Sequence, residues 1–145
     1  MSPDLIFQIC STVAMCSWVV LIFISPFWPK YDKFLIGIII TLFAVVYTWL
    51  IFSSINLNDL KGFGSLNGVM TLFQNRTLVT AGWLHYLAFD LMTGIWIQKN
   101  AKRHHIHYWL TAPCLFLTFM LGPFGLLLYL MLRWLKTKEF LAANF

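Results

Sequence analysis

The sequence predicts an all-α membrane protein, a bundle of four transmembrane helices with a kinked fourth helix. Of 145 residues, 60% are hydrophobic and only 10% are charged, whereas about a quarter of the residues in a soluble domain are charged. Each of four apolar runs exceeds the roughly 20 residues that cross a bilayer as a helix. Together they predict a single domain over residues 1–145, with helices at about residues 5–27, 34–55, 77–98 and 108–132.

The first run is not expected to be a cleaved signal peptide. The residues before it include Asp4 but no Lys or Arg, and a signal peptide needs a basic N-terminal region. We therefore expect it to stay as the first helix. The short segment SPFWPKYDK follows it, so the first two helices are predicted to be antiparallel neighbours.

The connection at residues 56–76 contains the glycine-rich stretch GFGSLNGVMTLF. We do not interpret it as a phosphate-binding loop, because a dinucleotide fingerprint needs a preceding strand and none is predicted. The pattern predicts a turn followed by a short apolar segment. That segment is expected to lie at the membrane interface and to cap a cavity from one side.

Asp90 is the one charged residue of the third run. A carboxylate near the bilayer centre costs about 2.5 to 3.5 kcal/mol on insertion scales, so it is expected to face protein or water and to be protonated. Residues spaced by threes and fours around it define a polar stripe, which we predict to be the inner face of the bundle. The stripe comprises Trp83, Tyr86, Asp90, Thr93, Gly94 and Ile97.

His85 lies in the same run but on a different face. Five residues at 100° each place it about 140° around the helix from Asp90. A direct pair between the two side chains is therefore not expected in a regular helix. Two interpretations of His85 stay open, a buried imidazole bonded to a neighbouring helix and a catalytic role.

The fourth run combines small residues with a helix breaker. Pro123 has no N–H to donate, so it leaves the carbonyl of Phe119 to be satisfied inside the protein, and a kink is expected. The sequence allows either irregular backbone beside a cavity or a simple packing kink. Small residues at helical spacing predict close helix approach, at Thr111, Cys114, Thr118, Gly122 and Gly125.

The segment RHHIH at residues 103–107 contains possible metal ligands in His104 and His107. Neither a cysteine nor an acidic residue besides Asp90 lies near them, so we expect interfacial histidines and no metal site. The three cysteines fall inside predicted helices without a CxxC spacing, which is typical of packing residues. No cofactor is predicted.

The net charge of +5 does not indicate nucleic-acid binding, because the ten basic residues lie at helix ends. With four crossings, five of them fall on each side of the membrane. The sequence therefore leaves the orientation of the protein open.

Three stretches together resemble the abscisic acid-deficient-4-like family of membrane proteins. They are GFGSLNGVMTLF, AGWLHYLAFDLMTGIWI and PCLFLTFMLGPFGLLLY, and they cover roughly residues 60–133. Plant members of that family are linked to neoxanthin synthesis. The resemblance implies that a violaxanthin epoxide is opened to an allene, a reaction that needs an acid and a base but no redox cofactor.

The resemblance also implies roles for individual residues. Asp90 is the expected acid, with His85 or a water held by Tyr86 as the base. Trp83, Thr93, Thr118 and Gly122 are expected to line the binding cavity.

The chain's short tails suggest a bacterial relative, so we expect a multi-pass protein of a bacterial inner membrane acting on a carotenoid-like or other isoprenoid lipid. The alternative is a non-enzymatic lipid-binding or accessory subunit of another membrane enzyme, in which Asp90 anchors helices. Either function is compatible with a homo-oligomer or a membrane-enzyme partner. A transporter or proton path is disfavoured because no charged relay accompanies Asp90. Expected partners are a lipid-soluble small molecule and membrane lipids, and no nucleic acid.

Overall fold

The computed structural model describes residues 1–55 and 62–138. These two ranges contain helices and short connections, with no strand, so the predicted all-α class is confirmed. Residues 56–61, the start of the predicted connection at 56–76, lie outside the described ranges. The helices are α1 (Pro3–Ile24), α2 (Tyr31–Ser54), α3 (Leu66–Leu72), α4 (Arg76–Arg103), α5 (Tyr108–Leu121) and α6 (Pro123–Thr137).

Side-chain caps fix where three of these helices begin. Ser2, Ser65 and Asn75 have extended backbone, and the side chain of each accepts a hydrogen bond from an N–H in the first turn of α1, α3 or α4. Those N–H groups have no partner within the helix, so a capping oxygen stabilises the helix by about 1 kcal/mol.

Two helices, α1 and α2, are long and apolar enough to cross a membrane. Both contain a π-helical segment, Val20–Ile24 in α1 and Leu35–Ile40 in α2. The long helix α4 packs against both of them. At Gly94 of α4 a Cβ atom would lie 2.6 Å from the ring of Trp18, so the absence of a side chain there lets α1 and α4 approach closely.

The prediction of one kinked helix over residues 108–132 is wrong. α5 ends at Leu121, Gly122 has a φ of +51°, and α6 begins at Pro123. α6 then folds back on α5, since a Cβ atom at Gly125 would lie 2.1 Å from the backbone nitrogen of Thr118. The two helices form an antiparallel hairpin with Gly122 at its tip.

Local chemistry explains the reversal. A glycine takes the positive φ that ends α5 without steric cost, and proline fits the first position of the next helix, where its missing N–H is not needed. At 1.5 Å per residue α5 and α6 are only about 21 to 23 Å long. Each is therefore shorter than the roughly 30 Å of hydrocarbon in a bilayer.

The hairpin lies along the second half of α4. Its tip, Gly122, contacts Asp90 in the middle of α4, and the hydroxyl of Tyr129 on the returning helix donates to Asn100 Oδ1 over 2.6 Å. α5 thus runs from the Arg103 end of α4 to its middle, and α6 returns to that end.

Polar contacts join the helices at the Arg103 end. Gln98 Nε2 donates to Ser25 Oγ over 2.8 Å and Lys102 Nζ donates to the carbonyl of Ser25 over 3.2 Å. The Tyr108 hydroxyl donates to the carbonyl of Ile22. These bonds tie the end of α1 to α4 and to the start of α5.

Candidate functional site

Asp90 lies at the middle of α4, with its carboxyl group against the tip of the hairpin. α4 has fourteen residues before Asp90 and thirteen after it. A Cβ atom at Gly122 would lie 3.0 Å from both carboxyl oxygens. Oδ2 is buried and forms no hydrogen bond with any described residue. A buried polar atom without a partner is uncommon and calls for an explanation.

Tyr86 is one turn before Asp90 and faces the same hairpin. Its hydroxyl donates to the carbonyl of Phe119 over 3.4 Å. Phe119 lies in the last turn of α5, whose carbonyls have no N–H donor within the helix, so the expectation that this carbonyl is satisfied inside the protein is confirmed. Tyr86 therefore holds the hairpin tip beside the carboxyl group.

Trp83 connects this region to α1. Its indole N–H donates to Ser11 Oγ over 2.9 Å, and its ring lies 5.3 Å from the rings of Phe7 and Tyr86. Trp83 thus packs between Tyr86 and residues of α1.

A crevice of about 370 Å³ opens between α4 and α6. Thr93, three residues after Asp90, lies in its wall, and its hydroxyl donates to the carbonyl of Phe89 over 2.8 Å. With that hydroxyl engaged, the wall is almost entirely apolar, which suits a lipid-soluble ligand. The Thr93 crevice is lined by Phe89, Met92, Thr93, Trp96, Leu126 and Leu130.

Thr118 and His85 are not in this crevice. Thr118 is fully buried inside the hairpin, where its hydroxyl donates to the carbonyl of Cys114 over 2.8 Å. The ring of His85 faces α2 and lies 5.8 Å from Tyr47 and 4.5 Å from Phe89. Helical geometry predicted this separation of His85 from Asp90, and the structure shows it.

His85 lines a second crevice, between α2 and α4, with volumes of about 120 Å³ and 180 Å³ on its two sides. Phe63, Leu72 and Phe73, in and around α3, close the smaller part. The short apolar segment thus caps a cavity, as predicted. Phe89 and Met92 line both this His85 crevice and the Thr93 crevice.

A comparison with protein families matches residues 5–129 to the family described as ABA DEFICIENT 4-like. The chain belongs to the ABA4-like family. The match begins at residue 5 and so includes the first two helices, beyond the roughly 60–133 that carried the resemblance. Searches among curated proteins and among solved structures found no match.

The histidine segment of this ABA4-like chain has no common helical face. His104 follows the last residue of α4, His105 has a φ of 52°, and His107 precedes α5. His104 and His107 are therefore not one turn apart on a helix. Residues 1–55 and 62–138 contain no group of three side chains that would hold a metal ion.

Sequence reasoning missed the contribution of α6 to the site. Leu126 and Leu130 form one wall of the Thr93 crevice, although both fall in the second half of the single fourth helix predicted over residues 108–132. Their spacing of four residues does mark a common face. The pattern does not reveal that this face returns to α4 in the ABA4-like fold.

Proposed function

We propose that this ABA4-like protein is a multi-pass membrane protein that isomerises a carotenoid-like or other isoprenoid lipid by acid–base chemistry at Asp90. α1, α2 and α4 are the crossing helices, since α4 with 28 residues is about 42 Å long. The α5–α6 hairpin enters the membrane and leaves on the same side. Irregular backbone at that depth is tolerated where it is buried in protein, as the hairpin tip is against α4.

The unpaired Oδ2 of Asp90 is the observation that carries the proposal. It is buried at the tip of the hairpin, and Phe89 and Thr93, the residues one before and three after Asp90, line the apolar Thr93 crevice. Leaving such an atom without a partner costs about 1 to 3 kcal/mol. A ligand with a polar oxygen removes this penalty, because the oxygen accepts a hydrogen bond from the protonated carboxyl group. The site therefore favours an oxygen-containing ligand over a pure hydrocarbon.

The proposed chemistry is the epoxide opening that the family resemblance implies, carried out by the residues around this carboxyl group. Asp90 donates its proton to the epoxide oxygen of the ligand as the C–O bond breaks. A base removes a proton from the adjacent chain, and the electrons of that C–H bond form the new double bond. The product is an isomer of the substrate, so the reaction consumes no oxidant or reductant.

The base in this proposal is a water molecule held by the Tyr86 hydroxyl. Tyr86 faces the hairpin tip together with Asp90, whereas the ring of His85 faces α2. His85 instead lines the crevice in which the rest of a long ligand lies. In this proposal an extended polyene lies along α4 from His85 to Trp96, across Phe89 and Met92, which line both crevices.

The test is an Asp90→Asn variant reconstituted in liposomes with candidate epoxy-isoprenoids. Asparagine keeps the size of the side chain but has no acidic proton, and loss of a general acid lowers turnover by about 100-fold or more. Product is measured by chromatography and mass spectrometry. The control is Asp4→Asn, which removes an exposed carboxylate paired with Arg76 and is expected to keep full activity.

Full activity in the Asp90→Asn variant would contradict the proposal. One further observation favours a non-enzymatic role: Asp90 lies at the N-terminal end of α6, where a carboxylate stabilises the helix dipole by about 0.3 to 1 kcal/mol. In a lipid-binding or accessory subunit, the only role of Asp90 is to stabilise the start of α6. In that case Asp90→Asn lowers thermal stability, and neither the variant nor the wild type forms product.

A further inference from the structure

We propose that a groove at the Arg103 end binds an anionic phospholipid, with its phosphate on Lys99 and Arg103 and an acyl chain along the apolar part of the groove. This site does not include Asp90 and does not depend on the isomerase chemistry, although Met92 and Trp96 line both this groove and the Thr93 crevice. The Arg103 groove has a volume of about 350 Å³. It is lined by Ile36, Met92, Ile95, Trp96, Lys99, Asn100 and Arg103.

Polarity changes along the Arg103 groove. The deeper wall consists of Ile36, Met92 and Ile95, and the mouth carries Lys99 and Arg103. From Met92 to Arg103 the groove follows about 16 Å of helix. An apolar channel of this length below two cations is complementary to an acyl chain below a phosphate.

Lys99 is held in place at the mouth. Its ammonium group lies 2.7 Å from a carboxylate oxygen of Asp32, at the start of α2. An ammonium group has three N–H donors, so two are left for a phosphate. The ion pair therefore orients Lys99 between α2 and α4.

Arg103 supplies the second cation on the same face. It lies four residues after Lys99, in the last turn of α4, and it is exposed. A guanidinium group binds two phosphate oxygens at once. With Asp32 counted, the mouth keeps a net positive charge, which favours an anionic headgroup over a zwitterionic one.

The apolar wall decides between a lipid and a free phosphate ion. A free phosphate uses only Lys99 and Arg103, two exposed cations that give little affinity alone. An acyl chain also covers Met92, Ile95 and Ile36, which otherwise line an open groove. We therefore assign the groove to a phospholipid.

The test measures binding of dioleoylphosphatidylglycerol and dioleoylphosphatidylcholine to the detergent-purified full chain by native mass spectrometry. Lys99→Gln/Arg103→Gln is compared with Lys30→Gln/Lys33→Gln, which removes the same charge from the same end of the bundle outside the groove. Phosphatidylglycerol is expected to bind more tightly than phosphatidylcholine. Only the Lys99/Arg103 variant is expected to weaken it, by about tenfold.

Equal losses in the two double variants would overturn the proposal, because they would show attraction to general surface charge. So would inorganic phosphate displacing the phospholipid at equal concentration, or tighter binding of an isoprenyl phosphate. Arg103→Gln alone guards against misfolding, since the side chain is exposed. It is expected to weaken phosphatidylglycerol binding about threefold with an unchanged melting temperature.

Discussion

At the scale of single residues, the turn of the hairpin requires glycine at position 122. Its φ of +51° is a conformation that residues with a side chain rarely adopt. The space where a side chain would begin is occupied by the Asp90 carboxyl group, 3.0 Å away. The same glycine thus shapes the turn and makes room for the proposed acid.

Gly122→Ala is expected to lower the free energy of unfolding by about 1 to 3 kcal/mol, from backbone strain and from contact with Asp90. Unfolding in mixed micelles measures the change. Gly37→Ala is the matched control, because a Cβ atom there would contact nothing within 4 Å. The Gly122→Ala/Asp90→Ala double variant should recover the part of the loss that comes from the carboxyl group. Equal stability of the two alanine variants would refute the steric argument.

Much at the residue scale was predictable from the sequence. A lone carboxylate in an apolar run predicts that its carboxyl group faces protein, as Oδ2 of the half-buried Asp90 does, and the 100° step per residue predicts that His85 and Asp90 diverge. Pro123 predicts an unpaired carbonyl at Phe119. The partner of that carbonyl, Tyr86, was not predictable, because it lies 33 residues away and depends on how two helices pack.

At the scale of elements, the α5–α6 hairpin depends on Gly125. A Cβ atom there would lie 2.1 Å from the backbone nitrogen of Thr118 and 2.6 Å from the carbonyl oxygen of Cys114. Backbone atoms cannot move aside as a flexible side chain can. The backbones of α5 and α6 are therefore in direct contact at Gly125, and a methyl group there would push the two helices apart.

Gly125→Ala is expected to open the hairpin and expose the thiol of Cys114, which is 1% exposed in the native fold. Labelling with a small maleimide measures this. The native protein should leave Cys114 unlabelled, and the variant should be labelled there. Buried Cys10 on α1 should stay unlabelled in both.

Gly82→Ala on α4 is the control, since its nearest neighbour is a movable ring atom of Phe73 at 3.3 Å. Its labelling should match that of the native protein. An unlabelled Cys114 in the Gly125→Ala variant would show that the hairpin tolerates the methyl group.

The sequence predicted the position of the break in the fourth apolar run but not its angle. Glycine followed by proline occurs both in kinks and at complete reversals. In this chain, the contact of Gly125 with Thr118 distinguishes a reversal from a kink, because it forms only once the chain has turned back. The 25-residue run at 108–132 is also long enough for a crossing helix, so length favoured the wrong alternative.

At the scale of the whole molecule, the hairpin determines how often the chain crosses the membrane in the arrangement proposed above. In the proposed arrangement the start of α5 and the end of α6 lie on the same side. A kinked fourth helix would place them on opposite sides. The number of crossings is then three instead of four.

Single cysteines at His105, Lys138 and Gln74 distinguish these topologies when the native cysteines are replaced by alanine. In sealed vesicles an impermeant maleimide is expected to label His105→Cys and Lys138→Cys from the same side. Gln74→Cys, just before α4, is expected to react only from the other side. If Lys138→Cys reacts together with Gln74→Cys, the chain crosses a fourth time and the hairpin is not re-entrant.

The return of α6 also redistributes the basic residues. Of the nine Lys and Arg residues in the described ranges, only Arg76 lies at the opposite end from Arg103. Cytoplasmic segments of membrane proteins are enriched in Lys and Arg. In the proposed arrangement, the hairpin therefore places most of these basic residues on one side of the membrane instead of dividing them evenly. This predicts that the Arg103 end is cytoplasmic and that the N-terminus of α1 is outside. The cations at the Arg103 end are Lys30, Lys33, Lys99, Lys102, Arg103, Arg133, Lys136 and Lys138.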